Sequence, residues 1–180
     1  HPGDTMMGIS RRSPDSTADR PAITQQWIGA ELRERASAVT KIEQAVASEG
    51  LDTLIYNLGI WEQNAFDASY DVLQDRDADL QAIINCNITA PILLIKRLLP
   101  TLLNSPRPRI ILTGSTSGLP QSGRPEVTFG APKFALRGLS DSLREGYRAQ
   151  ELGVTCLNLG YLNTEDSLQV PTAQAADNGQ

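Results

Sequence analysis

Short apolar runs alternate along this chain with longer segments whose apolar residues recur at helical spacing. Because the runs are apolar without regular polar alternation, both faces of the sheet that they form are expected to be covered. The pattern therefore predicts an α/β fold, a doubly wound parallel sheet with helices on both faces. The predicted strands are 5–10, 25–29, 53–57, 109–113 and 154–159, and the predicted helices are 33–49, 75–103 and 128–151.

Two stretches interrupt this alternation. Residues 12–22 contain two prolines, two serines and two aspartates, which predicts a loop. Pro91 lies inside the long helix predicted at 75–103, so that helix is expected to bend or to contain a local defect. The apolar run at 88–100 contains Lys96 and Arg97, and it is too short and too charged to span a bilayer.

Composition limits the classes of function. A chain of 180 residues is long enough for one core, so a single domain over 1–180 is expected, with the polar end at 165–180 as a mobile loop. The net charge of −5 argues against nucleic-acid and anionic-membrane partners. The first residues lack the apolar core of a signal peptide.

Cysteine and histidine usage narrows the chemistry further. Cys86 lies in a predicted helix and Cys156 in a predicted buried strand, so both are expected to be packed thiols in a reducing cytoplasm. His1 is the only histidine, and its terminal position makes a Ser-His-Asp hydrolase or a histidine-based metal site implausible. No metal site is expected.

Charged residues follow the first two strands, where a doubly wound sheet binds its ligands. Arg11 and Arg12 end the first strand, and their guanidinium groups match phosphate oxygens, although two solvated surface charges would give the same pattern. Glu31 follows the second strand, where it equally suits the N-terminus of the next helix.

Two later strands end in polar residues and glycines. Asn57 and Gly59 follow the third strand, and Gly160 follows the last one. Each of them is also an ordinary turn residue. Their shared position at strand ends nevertheless predicts that they lie on one edge of the sheet.

A serine, an aromatic residue and a lysine make the most specific pattern. Ser115 follows the strand at 109–113, and the next helix carries Phe129 and Lys133 one turn apart on one face. This arrangement resembles the catalytic core of the short-chain dehydrogenases/reductases, which place Tyr-x-x-x-Lys about a dozen residues after a catalytic serine. Phe129 stands where that family has its tyrosine.

Four other segments resemble the same family in order, and two of them contain strand ends with a glycine. Residues 52–59, Asp-Thr-Leu-Ile-Tyr-Asn-Leu-Gly, are similar to its Asp-x-Leu-x-Asn-Asn-Ala-Gly, which packs around the adenosine ribose and here supplies Asn57 and Gly59. Residues 158–164 are similar to Asn-x-x-Pro-Gly-x-x-x-Thr, with leucine replacing proline. The resemblance implies that Gly160 lies beside the nicotinamide and that Thr164 binds its carboxamide or the pyrophosphate.

The resemblance also implies a choice of cofactor. Arg11 and Arg12 lie at the end of a strand where members of the family that use NADP have basic residues, which accompany its 2′-phosphate. NAD-specific relatives have an acidic residue at that position. Glu31 and Leu32 are similar to the family's Asp-Val or Asp-Leu step, which contacts the adenine. NADP is therefore expected rather than NAD.

Three residues have implied catalytic roles. Asn87 matches the helix asparagine that holds a water in the proton relay, and its spacing to the following Ala-Pro-Ile-Leu-Leu run favours it over Asn85. Ser115 would orient the substrate carbonyl. Lys133 would bind the nicotinamide ribose, although a surface lysine would have the same periodicity.

The replaced tyrosine puts the chemistry in question. A phenyl ring donates no proton, and Phe129 therefore predicts weak or lost activity. Tyr56 and Tyr161 are the phenols expected near the site, and neither lies one turn before Lys133.

The resemblance covers residues 1 to about 165 and omits two parts of the family fold. The first strand, its Gly-rich turn and its helix are missing at the start, and a C-terminal strand is missing at the end. Without the first unit, a central strand is absent and its two neighbours are expected to expose unpaired edges. Either the chain is a fragment of a longer protein, which is the favoured interpretation, or the protein has lost the family's pyrophosphate-binding turn.

Two functions from different classes follow. The first is an NADP-dependent oxidoreductase acting on a carbonyl/alcohol pair, impaired by Phe129. The alternative is a non-catalytic relative that binds nucleotide or a partner protein. The substrate pocket is expected to involve the loop 119–127, Trp61 and Arg124, although a solvated loop arginine is a simple alternative for the last.

The two longest predicted helices are apolar over more than one face, which predicts self-association. In the family the matching helices pair as a four-helix bundle. A homodimer or tetramer is therefore expected, with Leu98 and Leu139 on its outer contact surface.

Overall fold

The computed structural model describes residues 4–12, 24–31, 35–160 and 162. The predicted loop beyond Arg12 and the predicted mobile tail at 165–180 lie outside these ranges. The described elements, in chain order, are β1 Thr5–Ser10, β2 Thr24–Gly29, α1 Arg35–Glu49, β3 Thr53–Tyr56, α2 Asp77–Ile84, α3 Ala90–Leu102, β4 Arg109–Thr113, α4 Val127–Gly146 and β5 Gly153–Leu157.

The predicted strands and helices are confirmed, and most ends agree within two residues. The last helix is shorter than expected, because α4 ends at Gly146 and a separate 3₁₀ turn follows at Arg148–Gln150. Glu151 closes that turn in the left-handed conformation, with φ of 55°. Helix α1 ends at Gly50, which has φ of 81° and donates its N–H to the Val46 carbonyl.

The strands form two parallel sheets. β1 pairs with β2, and β3, β4 and β5 pair in that order. Parallel neighbours joined by helices are the arrangement expected of an α/β fold. The Rossmann-like fold class that the sequence predicts is thus confirmed.

One hydrophobic core supports the three-stranded sheet. Alternate strand residues point into it, including Leu54, Ile110 and Leu112, of which the last is fully buried. Helices α1, α3 and α4 supply the facing side chains. On the opposite face Ile55 is 61% exposed, so the described helices cover one face of this sheet.

A groove of about 460 Å³ separates the two sheets. Met7 and Ile9 of β1 line one side, and Leu54 and Tyr56 of β3 line the other. β1 and β3 therefore face each other without pairing in the described residues. In the described residues, the edges of β1 and β3 that face the groove are unpaired, as the sequence led us to expect.

The long predicted helix contains the expected defect. A π-turn at Asn85–Thr89 joins α2 to α3, and Pro91 follows as the second residue of α3. Proline has no N–H to donate to the carbonyl four residues earlier, which is that of Asn87. In the residue before it, the Ala90 N–H donates to the Asn85 carbonyl, five residues back, which is the hydrogen bond of a π-turn.

The helical stretch Asp77–Leu102 is 26 residues long and apolar enough by composition to cross a membrane. This stretch is longer than the apolar run at 88–100, which by itself is too short to span a bilayer. Half of its most apolar part is buried within the fold. Core helices share these properties, so this stretch alone does not indicate a membrane span.

The surfaces of α3 and α4 differ from expectation at one position. Leu98 is 1% exposed and belongs to the core, so its predicted place on an outer contact surface is wrong. Leu139 is partly buried against the same core. The exposed apolar side chains of these helices are Ile92, Leu93, Val127 and Phe134.

Candidate functional site

A cavity of about 290 Å³ lies at the carboxyl ends of β3, β4 and β5. It brings together seven residues that the sequence singled out: Asn57, Gly59, Trp61, Ser115, Phe129, Lys133 and Gly160. The remaining lining residues are Leu58, Thr113, Gly114 and Leu159. Strand ends thus converge as they do at ligand sites in other open α/β sheets.

Two glycines allow the Ser115 turn to approach its neighbours. A Cβ on Gly114 would lie 2.7 Å from Oδ1 of Asn158, and one on Gly118 would lie 2.6 Å from the backbone oxygen of Lys133. Both distances are too short for any larger residue. Ser115 begins the 3₁₀ turn Thr116–Gly118, where its Oγ accepts the Ser117 N–H at 3.1 Å. The serine is therefore fixed against α4.

Lys133 lies inside the cavity wall and is 6% exposed. One of its three N–H groups donates to the Thr113 carbonyl at 3.1 Å. Burial lowers the pKa of this ammonium below its ordinary value, while the nearby thiols of Cys156 and Cys86 act in the opposite direction. A buried lysine with unused donors suits a polar ligand better than a surface role.

Phe129 faces the lysine with its ring, and the Lys133 Nζ lies 5.5 Å from the ring centroid. Tyr56 does not supply the missing hydroxyl. Its own hydroxyl is buried and donates to the Cys86 carbonyl at 2.6 Å, and burial raises its pKa far above the ordinary value. Tyr161 lies outside the described residues.

Asn87 is buried next to the cavity by the π-turn. Its Nδ2 donates to the Ile60 carbonyl at 2.7 Å, and its Oδ1 accepts the Ile60 N–H at 2.9 Å. A Cβ on Gly59 would lie 3.8 Å from this Oδ1 and 3.6 Å from the Lys133 Nζ. Asn87 therefore positions the segment after β3.

Two buried glutamates complete the site, and sequence reasoning missed both. Glu62 is 2% exposed, and its Oε1 accepts the N–H groups of Thr128 and Phe129 at 2.8 and 2.9 Å. Glu126, 3% exposed, accepts the Phe66 N–H at 2.8 Å. One signal was available: α4 begins without a serine, threonine, aspartate or asparagine cap, so its first N–H groups need a distant acceptor.

The residues predicted for the adenine end lie at the neighbouring groove. Arg11 and Glu31 line it and form an ion pair, with 3.8 Å between Nε and Oε2. Arg12 is exposed beside them. The groove and the cavity share Asn57 and Leu58, so one continuous depression joins the two sets of predicted residues. Leu32 and Thr164 lie outside the described residues.

Asp52 does not belong to this depression. It lies before β3, at the opposite end of the strand from Asn57, and accepts a hydrogen bond from the Ser105 hydroxyl. Asn57 instead accepts a hydrogen bond from Thr113 Oγ1 at 2.7 Å, which ties the ends of β3 and β4 together. The matching aspartate that supported the sequence motif is thus structural.

Comparison with known proteins agrees with this geometry. The sequence model of the short chain dehydrogenase family matches residues 18–174. The chain belongs to this family. The resemblance that the sequence motifs indicated is thereby confirmed.

A curated relative in the short-chain dehydrogenase family is the dehydrogenase/reductase SDR family protein 7-like of Drosophila melanogaster. It is 30% identical over 154 residues, which cover 84% of this chain and 44% of the relative. The chain thus spans less than half of that protein's length.

Two solved structures share the fold. A putative short chain dehydrogenase from Shigella flexneri, complexed with NADP, is 26% identical with a TM-score of 0.66, covering 76% of this chain and 56% of that one. NADH-dependent reductase A1-R′, complexed with NAD, has a TM-score of 0.74, covering 87% of this chain and 67% of that one. It is 16% identical, so its likeness concerns the fold alone.

Proposed function

We propose that this chain belongs to an NADP-dependent oxidoreductase that interconverts a carbonyl and an alcohol, with its rate reduced by Phe129. The observation that carries the proposal is the single cavity that holds Ser115, Lys133 and the Phe129 ring. Family membership supports the reaction class, and the NADP bound to the Shigella relative supports the cofactor.

The described residues fit a nicotinamide cofactor at two places. Lys133 offers N–H groups beyond the one given to Thr113, which suits ribose hydroxyls. Arg11 lies at the other end of the depression, where a 2′-phosphate would find a guanidinium. When bound, the nicotinamide supplies or accepts the hydride.

The chain's own residues would hold and polarise the substrate. The Ser115 hydroxyl can donate to the carbonyl oxygen and turn it toward the cavity, and the Lys133 charge stabilises negative charge that develops there. Asn87 keeps the Gly59–Ile60 segment in place through both ends of its amide. The proton normally supplied by a tyrosine has no donor at Phe129, which is why the rate is expected to be low.

Phe129→Tyr tests this proposal. We expect NADPH-dependent reduction of a panel of aldehydes and ketones to rise about 10²- to 10⁴-fold, the usual contribution of a placed general acid. Phe134→Tyr is the matched control, because Phe134 lies on the same helix but is 43% exposed. If Phe129→Tyr binds NADPH but its activity is unchanged, the proposal that only the missing phenol limits the rate would be refuted.

A non-catalytic, nucleotide-binding role is the second candidate. Phe129 favours it, as do the engaged hydroxyls of Tyr56 and of Tyr70, which donates to Asp75 Oδ2 at 2.7 Å. NADPH fluorescence titration separates the two candidates. Tight NADPH binding by both the unchanged chain and Phe129→Tyr, without turnover in either, would support the second.

We also propose that the protein self-associates through α3 and α4 and works in the cytoplasm. Ile92 and Phe134 are each 43% exposed on these helices, and their burial between copies would remove apolar surface from water. Ile92→Glu with Phe134→Glu should convert a dimer or tetramer to monomer in sedimentation experiments. A monomer before substitution would contradict this surface. Cys86 and Cys156 form no disulfide in the described residues, which supports a reducing compartment.

A further inference from the structure

Three aromatic rings form a continuous wall at the mouth of the cavity. The Phe66 and Phe129 rings meet edge to face, with centroids 5.6 Å apart and an interplanar angle of 83°. Trp61 extends the wall, with its centroid 6.1 Å from that of Phe66. Trp61 and Phe66 remain 56% and 38% exposed, so much of this aromatic surface faces solvent. We call these three residues the aromatic wall.

The aromatic wall is held in place at a cost. Phe66 has φ of 69°, a left-handed conformation that is unfavourable for a residue with a side chain. The buried carboxylate of Glu126 holds it there by accepting the Phe66 N–H. Glu62 holds Phe129 in the same way. The buried Oε2 of Glu62 has no hydrogen-bond partner among the described residues, which is a further cost, whereas the Oε2 of Glu126 lies 3.6 Å from Nε of Arg124 in an ion pair.

Capping of α4 accounts for Glu62, but it does not call for the left-handed Phe66 that Glu126 holds. A strained backbone weakens a fold and is typically kept where the geometry that it fixes is used. What the two glutamates fix here is the position of two rings beside Ser115 and Lys133, because Phe129 and Trp61 line the same cavity as those residues. The wall is therefore preorganised toward the reacting end of the site.

We infer that the aromatic wall binds an aromatic ring of the substrate, so that the substrate class is aryl ketones and aryl aldehydes. This inference rests on the proposed function. The wall offers ring surface, so a neutral aromatic ring is expected on it, with the carbonyl toward Lys133, the only charged residue in the described lining of the cavity. An aromatic guest can stack on or meet edge to face the exposed rings, a gain that a saturated ring lacks.

The wall also gives Phe129 a purpose. A tyrosine there would bring a hydroxyl to the reacting carbonyl, whereas the phenyl ring brings apolar surface that joins Phe66. The same substitution that removes the proton donor thus completes an aromatic binding surface.

Binding of two matched ketones without cofactor tests the inference. Acetophenone and cyclohexyl methyl ketone have the same number of non-hydrogen atoms and the same acetyl group, and differ in whether the ring is aromatic. Ligand-observed NMR titration of the full chain should give acetophenone a dissociation constant about three- to tenfold lower, the range typical of aromatic pairs. Equal constants, or no binding of either ketone because another segment occupies the wall, would overturn the inference.

Three variants locate the effect. Trp61→Leu and Phe66→Leu remove a ring but keep apolar bulk, and each should abolish the preference for acetophenone. Trp27→Leu is the matched control, since Trp27 is 37% exposed on β2, away from the cavity, and it should keep the preference. Circular dichroism checks that each wall variant folds. A folded wall variant that still prefers acetophenone would contradict the proposed role of the aromatic wall.

The outcome is separable from that of the proposed function. Ketone binding is measured without NADPH, so a chain that binds no cofactor can still show the aromatic preference. A chain that binds NADPH but treats the two ketones alike would leave the oxidoreductase proposal standing and refute only the substrate class.

Discussion

The two parallel sheets of this molecule are built from strands of similar length but differ in what covers them. In the three-stranded sheet, Ile110 and Leu112 are at most 1% exposed beneath three helices. In the two-stranded sheet, the described strands contain no fully buried residue. Its most specific contact is Trp27 packing over Gly8, where a Cβ would lie 2.1 Å from the indole ring.

This difference separates two tasks. Ser115 follows β4 of the well-covered sheet, and Lys133 lies on α4, which packs on that sheet. The main core therefore supports the geometry of both residues. Arg11 and Glu31 follow the strands of the poorly covered sheet, and their ion pair is largely exposed, at 69% and 36% of the two side chains. We therefore expect the reacting end of the site to be rigid and the cofactor-selecting end to be adaptable.

Truncating one core residue in each sheet should give the largest contrast. Leu112→Ala leaves a cavity in the fully buried core and should lower the free energy of unfolding by about 2–5 kcal/mol. Ile9→Ala removes a partly buried side chain from β1 and should cost only about 1 kcal/mol. Urea denaturation of the full chain measures both.

Hydrogen exchange sharpens the same contrast. Amides of β1 and β2 should exchange well before those of β4, because a region with few buried contacts opens locally. Ile9→Ala should then speed exchange in β1 and β2 alone. Equal protection of the two sheets would contradict the division drawn here.

The same contrast explains what the sequence could predict. Strand ends, Ser115, Phe129 and Lys133 follow from local patterns, because period and spacing fix which residues meet at one edge of a sheet. Glu62 and Glu126 could not be predicted in the same way. Their partners lie about 60 positions away along the chain, at separations of 66, 67 and 60 residues.

The error at Leu98 has a different physical cause. Helix α3 is apolar around most of its circumference, so periodicity alone does not tell which side faces the core. The π-turn before it changes the helical phase between α2 and α3, which shifts any face extrapolated from one to the other. Pro91 predicted a defect, but its kind depends on packing around Asn87.

Substitutions at the exposed, cofactor-selecting end of the site should have smaller effects than truncation of the buried core. We expect the unchanged protein to bind NADPH more tightly than NADH. Arg11→Asp should shrink or reverse that preference, because a charged hydrogen bond contributes about 1.5–3 kcal/mol and exposure to water places Arg11 near the lower figure. Titration with both cofactors measures the ratio of dissociation constants.

Glu31→Gln is the companion variant. It removes the carboxylate that pairs with Arg11 and so should increase the preference for NADPH. Equal dissociation constants for NADPH and NADH in the unchanged protein would show that this end does not select the 2′-phosphate.

The smallest effect concerns the pH dependence of stability at the rigid end. Burial holds the pKa of Lys133 below its ordinary value of 10.5, so the folded state binds fewer protons than the unfolded state between the two values. Stability contributed by this group therefore rises as the pH increases through that interval, and its cost is full below the folded pKa. Lys133→Met should abolish this rise. Urea denaturation at several pH values from neutral upward measures the difference between the two proteins.

Burial raises the pKa of Cys156 above its ordinary value of 9.0, which makes stability fall as the pH rises in both proteins. The Lys133 charge lowers the pKa of this thiol, so the difference between the two curves contains the lysine together with its coupling to Cys156. Lys96→Met is the control, because it removes an exposed lysine of α3 by the same substitution. Parallel curves for Lys133→Met and the unchanged protein would mean that Lys133 is as well solvated in the fold as in the unfolded chain. The rigid, buried end would then be no less open to water than the end that carries Arg11.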